Sequence, residues 1–369
     1  MRDNVSGNCG RGEKQRRPSR RVRVGTVDIG GGAPISIQGM TKCDTRDVRT
    51  AVSQIVSLRD AGCQIVRVAV PSAEAAEALS RIVRESPLPV VADVHFDYRL
   101  ALKALEAGVH KIRINPGNIG GADKVRAVAA EAAARGVPIR VGVNAGSLER
   151  DLLERHGGPT AQAMVESARR HVGLLEDAGF SDIVISLKAS SVLRTVEAYR
   201  LAAGVFPYPF HVGISETGPG LSGVVKSAVG LGILLGEGIG DTVRVSLTGD
   251  PVGEIKVARD ILVSLGLMKG APEVISCPTC GRCRVDLVGI AQAIKDRLDL
   301  LRPEVTVAVM GCEVNGPGEA READVGVALG RSSGLLFKRG TPLRSVPFER
   351  VIDEVCDLAL HADEEEKGG

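Results

Sequence analysis

From residue 35 to about residue 270 the chain repeats one rhythm. A short β-branched apolar run is followed by a stretch rich in Ala, Leu, Glu and Arg with helical spacing. The strand candidates are Ile35–Met40, Gln64–Val70, Pro89–His95, Lys111–Asn115, Pro138–Asn144, Asp182–Ala189, Phe210–Glu216 and Thr242–Thr248. The spacing predicts helices between them, such as Val48–Ala61, Ala73–Ser86 and Tyr98–Ala107, each preceded by a capping residue: Asp47, Ser72 and Asp97. Most of the strands are apolar along much of their length and do not alternate, as a parallel sheet covered by helices requires. Eight such βα units predict an α/β fold with an N-terminal (β/α)8 TIM-type barrel. A doubly wound open sheet would bring a glycine-rich dinucleotide turn after its first strand, and Gln38-Gly39-Met40-Thr41 is not one. Ahead of the barrel, Val22–Val24 and Val27–Ile29 flank Gly25-Thr26 and predict a hairpin plugging the barrel's lower end.

Near Gly270-Ala271-Pro272 the rhythm stops. A cysteine motif follows, then a helix (Val285–Leu298), strands near Val305–Val309, Val325–Leu329 and Gly334–Lys338, and a last helix (Pro347–Leu360). The division expected is a disordered basic arm over residues 1–21, a barrel with its hairpin over 22–268, a smaller α/β domain carrying the cysteine motif over 272–360, and a frayed acidic tail over 361–369.

Charge alters this picture only at the N-terminus. The formal net charge is +2, so the molecule as a whole does not advertise a polyanion partner, yet residues 1–23 carry eight basic side chains against two acidic ones. Nine aromatics and no Trp leave few platforms for stacking bases, which argues against nucleic-acid binding. No apolar segment follows the arginines as a signal peptide would need, and no apolar run reaches 18 residues, so a cytoplasmic location without a membrane span is expected. Eight cysteines without a secretion signal point to metal binding or catalysis more than to disulfides. Cys9, Cys43, Cys63, Cys283 and Cys356 show no pairing logic and read as structural or idle.

Barrel enzymes build their sites at the C-terminal ends of the strands. The polar residues on these strands are Arg67, Asp93, His95, Arg113, Asn115, Arg140, Asn144, Ser186, Lys188, Ser215, Glu216, Arg244 and Ser246. Four arginines, Arg67, Arg113, Arg140 and Arg244, interrupt otherwise apolar strands, and Lys188 joins them, with Asp93 and Glu216 as the nearby acids. Desolvating an unpaired charge costs several kcal/mol (on the order of 5). The cationic excess therefore predicts an anionic ligand, and guanidinium forks suit phosphate oxygens. The plainer alternative is a set of salt bridges to helix carboxylates. His95 alone would read as a core histidine, but Asp93-Val94-His95 at a strand end makes it a site candidate.

Cys277-Pro-Thr-Cys280-Gly-Arg-Cys283 is followed 29 residues later by Cys312, in Gly311-Cys-Glu-Val-Asn-Gly-Pro-Gly-Glu319. A zinc ribbon usually presents two Cys-x2-Cys halves, whereas an iron–sulfur cluster needs one protein ligand per iron and tolerates this asymmetry. Spacing favours iron–sulfur, keeps zinc open, and leaves Cys283 and Glu319 as rivals for the remaining position. A zinc-ribbon module on a phosphate-binding barrel and a pterin- or corrinoid-binding transferase barrel are the competing classes.

Ser276-Cys-Pro-Thr-Cys-Gly-Arg282 together with Gly311-Cys-Glu-Val-Asn-Gly-Pro-Gly-Glu-Ala320 closely resembles the bacterial 4-hydroxy-3-methylbut-2-enyl diphosphate synthases of the non-mevalonate isoprenoid pathway. Pro34-Ile-Ser-Ile-Gln-Gly-Met-Thr41, Ala92-Asp-Val-His-Phe96, Lys111-Ile-Arg-Ile-Asn-Pro-Gly-Asn118, Ser186-Leu-Lys-Ala-Ser190 and Gly213-Ile-Ser-Glu-Thr-Gly218 extend the match from residue 22 to about 355. The resemblance implies an oxidoreductase that opens 2-C-methyl-D-erythritol 2,4-cyclodiphosphate reductively, with two electrons from a reduced ferredoxin or flavodoxin. It implies a [4Fe-4S] cluster on Cys277, Cys280, Cys312 and Glu319, and a head-to-tail homodimer. It places diphosphate contacts on Arg67, Arg113, Arg140, Asn144, Lys188, Ser215 and Ser246, to which the strand-end reading adds His95 and Arg244. Glu216 matches an acid near the reacting carbons, Asn315 a polar group beside the cluster, and Glu319 an exchangeable ligand with a catalytic part. Cys283 departs from the family pattern and reads as a bystander.

Overall fold

A short hairpin ahead of the first barrel strand closes the barrel's lower end. In the computed structural model, which describes residues 16–115, 119, 121–268, 272–283, 285–301, 303–312, 321 and 323–368, strands β1 (Val22–Val24) and β2 (Val27–Ile29) pair antiparallel. Gly25 makes the turn at φ 58°. Val24 and Ile29 pack on Ile65 and Val91, near the starts of two barrel strands. The predicted plug is therefore present.

Residues 16–21 correct the expected arm. Arg17 donates to Phe206 O at 2.7 Å and Tyr208 O at 2.6 Å and lies 4.0 Å from the Phe210 ring centroid. Arg16 donates to Asp241 at 3.1 Å and also reaches the Ala33 and Gly240 carbonyls. Arginine's five donors satisfy carbonyls left over at this edge of the barrel, and that orders the segment. The arm's residues 1–15 lie outside the described residues.

The chain divides into two compact units, Met1–Leu265 and Gly266–Gly369. In the first, the parallel strands are β3 (Ser36–Met40), β4 (Ile65–Val70), β5 (Val90–Val94), β6 (Lys111–Ile114), β7 (Ile139–Asn144), β8 (Ile183–Lys188), β9 (His211–Val212) and β10 (Thr242–Val243). They hydrogen-bond in the order β8-β7-β6-β5-β4-β3-β10-β9, and a parallel bridge between Ile185 and Phe210 joins the two ends. That is the predicted barrel. Helices α1 (Val48–Asp60), α2 (Ala73–Glu85) and α3 (Tyr98–Glu106) begin at the predicted caps, where Asp47, Ser72 and Asp97 accept from Thr50 N, Ala75 N and Arg99 N. They are followed by α4 (Ala122–Ala134), α5 (Arg150–His156), α6 (Ala161–Glu176), α7 (Val192–Ala203), α8 (Gly220–Gly236) and α9 (Pro251–Ser264).

The last two barrel strands are much shorter than their apolar runs predict. A side chain at Gly213 would meet the Arg244 carbonyl at 2.3 Å, and Glu216 holds φ 54°. The backbones crowd and turn there, so the ladder stops while the chain still lines the barrel mouth.

The second unit is a five-stranded sheet of β11 (Glu273–Ser276), β12 (Thr306–Met310), β13 (Val325–Leu329), β14 (Ser333–Lys338) and β15 (Thr341–Pro347), in that order. The first three are parallel and the last two add antiparallel. Helices α10 (Leu287–Leu301) and α11 (Val351–Gly368) pack on it through Ile294, Leu298, Val355 and Ala359. The tail is a second correction. It continues α11, with Ala362 and Asp363 buried and Asp363 accepting from Glu304 N at 3.0 Å.

Candidate substrate site and cluster centre

Residues two apart on a strand share a face, so each arginine in the barrel brings neighbours with it. A TIM-type barrel interior is normally filled by branched apolar side chains. Here Lys111 and Arg113 on β6, Arg140 on β7, Lys188 on β8, Asp93 on β5 and Arg67 on β4 are all buried. Gly142 makes the room: a Cβ there would stand 2.5 Å from Arg113 Nε.

Asp93 is the hub. Its carboxylate is 3.1 Å from Arg113 Nη1, 3.6 Å from Arg67 Nε and 3.5 Å from His95 Nε2. Burial by itself would raise the Asp93 carboxyl, but Arg67, a hydrogen bond from His95, Arg113 and Arg140 together hold it well below the usual range. Burial and the neighbouring arginines push Arg67 down to about 10, and the same two causes drive Arg140 and Lys188 well below their ordinary values. Nε and Nη1 of Arg140 are buried without a hydrogen-bond partner among the described residues. Cations that depress one another and leave donors unused form an environment that a bound anion would satisfy.

The second acid is not the one expected. Glu216 is exposed, whereas Glu254 on α9 is buried and lies 3.6 Å from Arg244 Nη2 and 2.9 Å from Lys42 Nζ. In the sequence Glu254 looks like a surface acid in a first helical turn. Its place on the buried stripe with Ala258 and Ile261 was the available signal. Lys42 was also missed. So were Lys111 and His211, buried low in the barrel, where desolvation drives both well below their ordinary values.

Asn144 ends β7 beside Lys188 on β8, and Ser215 and Ser246 are half-buried beyond β9 and β10. Non-glycine residues hold positive φ at two strand ends, Phe96 at 66° and Glu216 at 54°. Each costs about 1–2 kcal/mol, and such strain concentrates at functional sites.

In the second unit, parallel pairing of β11 with β12 matches Ser276 to Val309. Cys277 and Cys312 therefore follow adjacent strand ends on the same side of the sheet. The Gly311 N–H donates to Cys277 Sγ at 3.2 Å. Cys280 is exposed, and a backbone N–H at Arg282 lowers its thiol below the ordinary value, which favours thiolate. The Cys283 thiol points to Val285 O at 3.4 Å and sits against Gly311, where a Cβ would meet its sulfur at 2.8 Å. Among the described residues, no three His, Cys, Asp or Glu side chains are gathered as a metal-ligating group. Asn315 and Glu319 lie outside the described residues.

The sequence model of the GcpE TIM-barrel domain matches residues 19–259, and that of the GcpE protein C-terminal domain matches residues 273–360. The chain belongs to the GcpE family. The GcpE barrel match ends inside α9 and the C-terminal match begins with β11, so the two family domains coincide with the two units. Among curated GcpE-like relatives, 4-hydroxy-3-methylbut-2-en-1-yl diphosphate synthase (flavodoxin) of Geobacter sulfurreducens is 58% identical over 335 residues, covering 91% of this chain and 95% of that protein. Enzymes of the same name from Ruminiclostridium cellulolyticum and Geobacillus thermodenitrificans are 54% and 56% identical. These matches cover 92% of this chain in both cases and 97% and 91% of those proteins respectively.

Proposed function

We propose that this chain is a 4-hydroxy-3-methylbut-2-enyl diphosphate synthase, which reductively opens 2-C-methyl-D-erythritol 2,4-cyclodiphosphate. One ring C–O bond to phosphate breaks, a hydroxyl leaves and takes up a proton as water, and two electrons are consumed. The observation that carries this reading is the cationic barrel mouth, where, among the described residues, Arg67, Arg113, Arg140, Lys188 and Arg244 outnumber their acidic neighbours Asp93 and Glu254. A diphosphate is the ligand such a set of buried donors suits. Arg67, Arg113, Arg140, Lys188 and Arg244, with His95, Asn144, Ser215 and Ser246, bind and orient it, which fixes the reacting carbons. Glu216, exposed beyond β9 at φ 54°, takes the role of the acid near the reacting carbons.

The chemistry and strand-end placement of the thiols, rather than a ligand group already gathered among the described residues, support a [4Fe-4S] cluster. Cys277 and Cys312 follow adjacent strand ends, the Gly311 N–H already points at a sulfur, and Cys280 favours thiolate. Cys277, Cys280 and Cys312 would hold it, with Glu319 as the exchangeable fourth ligand and Asn315 nearby. When bound, the cluster supplies low-potential electrons and a Lewis-acidic iron. The relatives' names favour reduced flavodoxin as electron donor over ferredoxin. Leu221, Val225 and Val229 leave an exposed apolar stripe on α8, a surface suited to association in the head-to-tail homodimer that the family resemblance implies. A small charged substrate and a protein electron donor fit a cytoplasmic enzyme, and no helix among the described residues is long and apolar enough to cross a membrane. Anaerobic turnover of the cyclic diphosphate, with inorganic diphosphate as competitor, tests the substrate assignment. Turnover insensitive to the competitor would argue against the cationic mouth as the binding site.

A further inference from the structure

Lys42 stands just beyond the end of β3, outside every set of residues assigned above to substrate or cluster. Its ammonium donates to Leu247 O at 2.8 Å and Gly249 O at 2.6 Å, and lies 2.9 Å from the buried Glu254 carboxylate. Glu254 in turn accepts the Leu247 N–H at 2.9 Å. The Leu247 peptide is thus held from both sides by one ion pair, and that pair ties the first barrel strand to the loop after the last. The hold continues sideways. Thr217 Oγ1 donates to Ser246 O at 2.6 Å, and Thr248 N donates to Gly218 O at 3.4 Å. Glu216, at φ 54°, immediately precedes Thr217.

We propose that Lys42 and Glu254 are positioning residues: their ion pair clamps the 246–249 loop and so holds Ser246, and through Thr217 the strained Glu216, at the barrel mouth. The inference deepens the substrate reading and rests on it. A strained residue persists only where its surroundings over-determine it. Glu216 is exposed, so its own side chain does not supply that constraint, whereas the loop it is tied to is pinned by charge-assisted hydrogen bonds, roughly twice as strong as neutral ones. Glu254 also lies 3.6 Å from Arg244 Nη2, while Nε of Arg244 is buried without a hydrogen-bond partner among the described residues.

The test is Lys42→Met in the full-length holoenzyme. Lys42 is about one-third exposed, and on its removal the buried Glu254 keeps Arg244 and the Leu247 N–H as partners. Amide hydrogen exchange is expected to speed up about tenfold in the 216–218 and 246–249 segments and to stay unchanged in β4–β6. KM for the cyclic diphosphate is expected to rise about tenfold with a smaller loss in kcat and unchanged iron content. Lys42→Arg, which keeps charge and donors, is expected to recover most of both effects. Glu254→Gln combined with Lys42→Met is expected to cost little more than the worse single change, since both break one clamp. Unchanged exchange in the two segments overturns the clamp whatever the activity. Faster exchange with an unchanged KM overturns its role in the site. A wild-type enzyme that ignores the cyclic diphosphate would defeat the substrate reading and, with it, the clamp's role in the site; the exchange result would then still judge the clamp.

Discussion

Arg113 donates to Asp93 at 3.1 Å, and both side chains are almost wholly buried. The pair anchors one arginine of the cationic mouth while Nε of that arginine has no hydrogen-bond partner among the described residues. Arg113→Ala is therefore expected to lower kcat/KM for the cyclic diphosphate about 10- to 100-fold, mainly through KM, as the loss of charged hydrogen bonds to a phosphate implies. Iron and sulfide content should not change. An unchanged KM would place the diphosphate elsewhere.

Asp93 also makes an acid-dependent contribution to stability. Its folded-state carboxyl titrates below the unfolded value of about 3.9. The stabilisation is fully present above about pH 4 and is lost as pH falls further, through the lower folded value. Asp93→Asn is expected to cost about 3–5 kcal/mol at neutral pH, because it strands buried arginines. The gap in urea midpoints between wild type and variant should narrow below about pH 4. A gap independent of pH would mean that Asp93 is not ionised against those arginines.

Glu216 separates strain from chemistry. Replacing it with glycine relieves the positive φ, so Glu216→Gly is expected to stabilise the fold by about 1 kcal/mol. If the carboxyl meets a proton in turnover, the same change lowers kcat about 100-fold or more. Greater thermal stability with full activity would remove Glu216 from the chemistry.

Among the cysteines, Cys277→Ser, Cys280→Ser and Cys312→Ser are each expected to abolish bound iron, acid-labile sulfide and the broad visible absorbance. Cys283→Ser should keep all three, because the Cys283 thiol is turned toward Val285 O. Loss of iron in the Cys283 variant alone would reverse the ligand assignment.

The barrel was legible because helix-covered parallel strands must be apolar, and an arginine interrupting such a strand stands out. The helix starts were legible because Asp47, Ser72 and Asp97 cap through local geometry. Tertiary contacts decided the remainder. Arg16 and Arg17 look like part of a solvated arm until Asp241 and the carbonyls of Phe206 and Tyr208 receive them. Strands β11 and β15 escaped notice because most of their residues are exposed or half-buried, which erases the apolar signal. Glu254 was passed over for Glu216 because chain position places an acid near a strand end but does not say which acid is buried.

The central claim is a cluster enzyme acting on a cyclic diphosphate. The protein should be purified without air, its iron and sulfide counted per chain, and the same sample assayed with 2-C-methyl-D-erythritol 2,4-cyclodiphosphate and a chemical reductant. The account predicts about four of each atom per chain and reductant-dependent formation of 4-hydroxy-3-methylbut-2-enyl diphosphate. A colourless protein carrying zinc, or one with a full cluster that leaves the substrate unchanged, would contradict it.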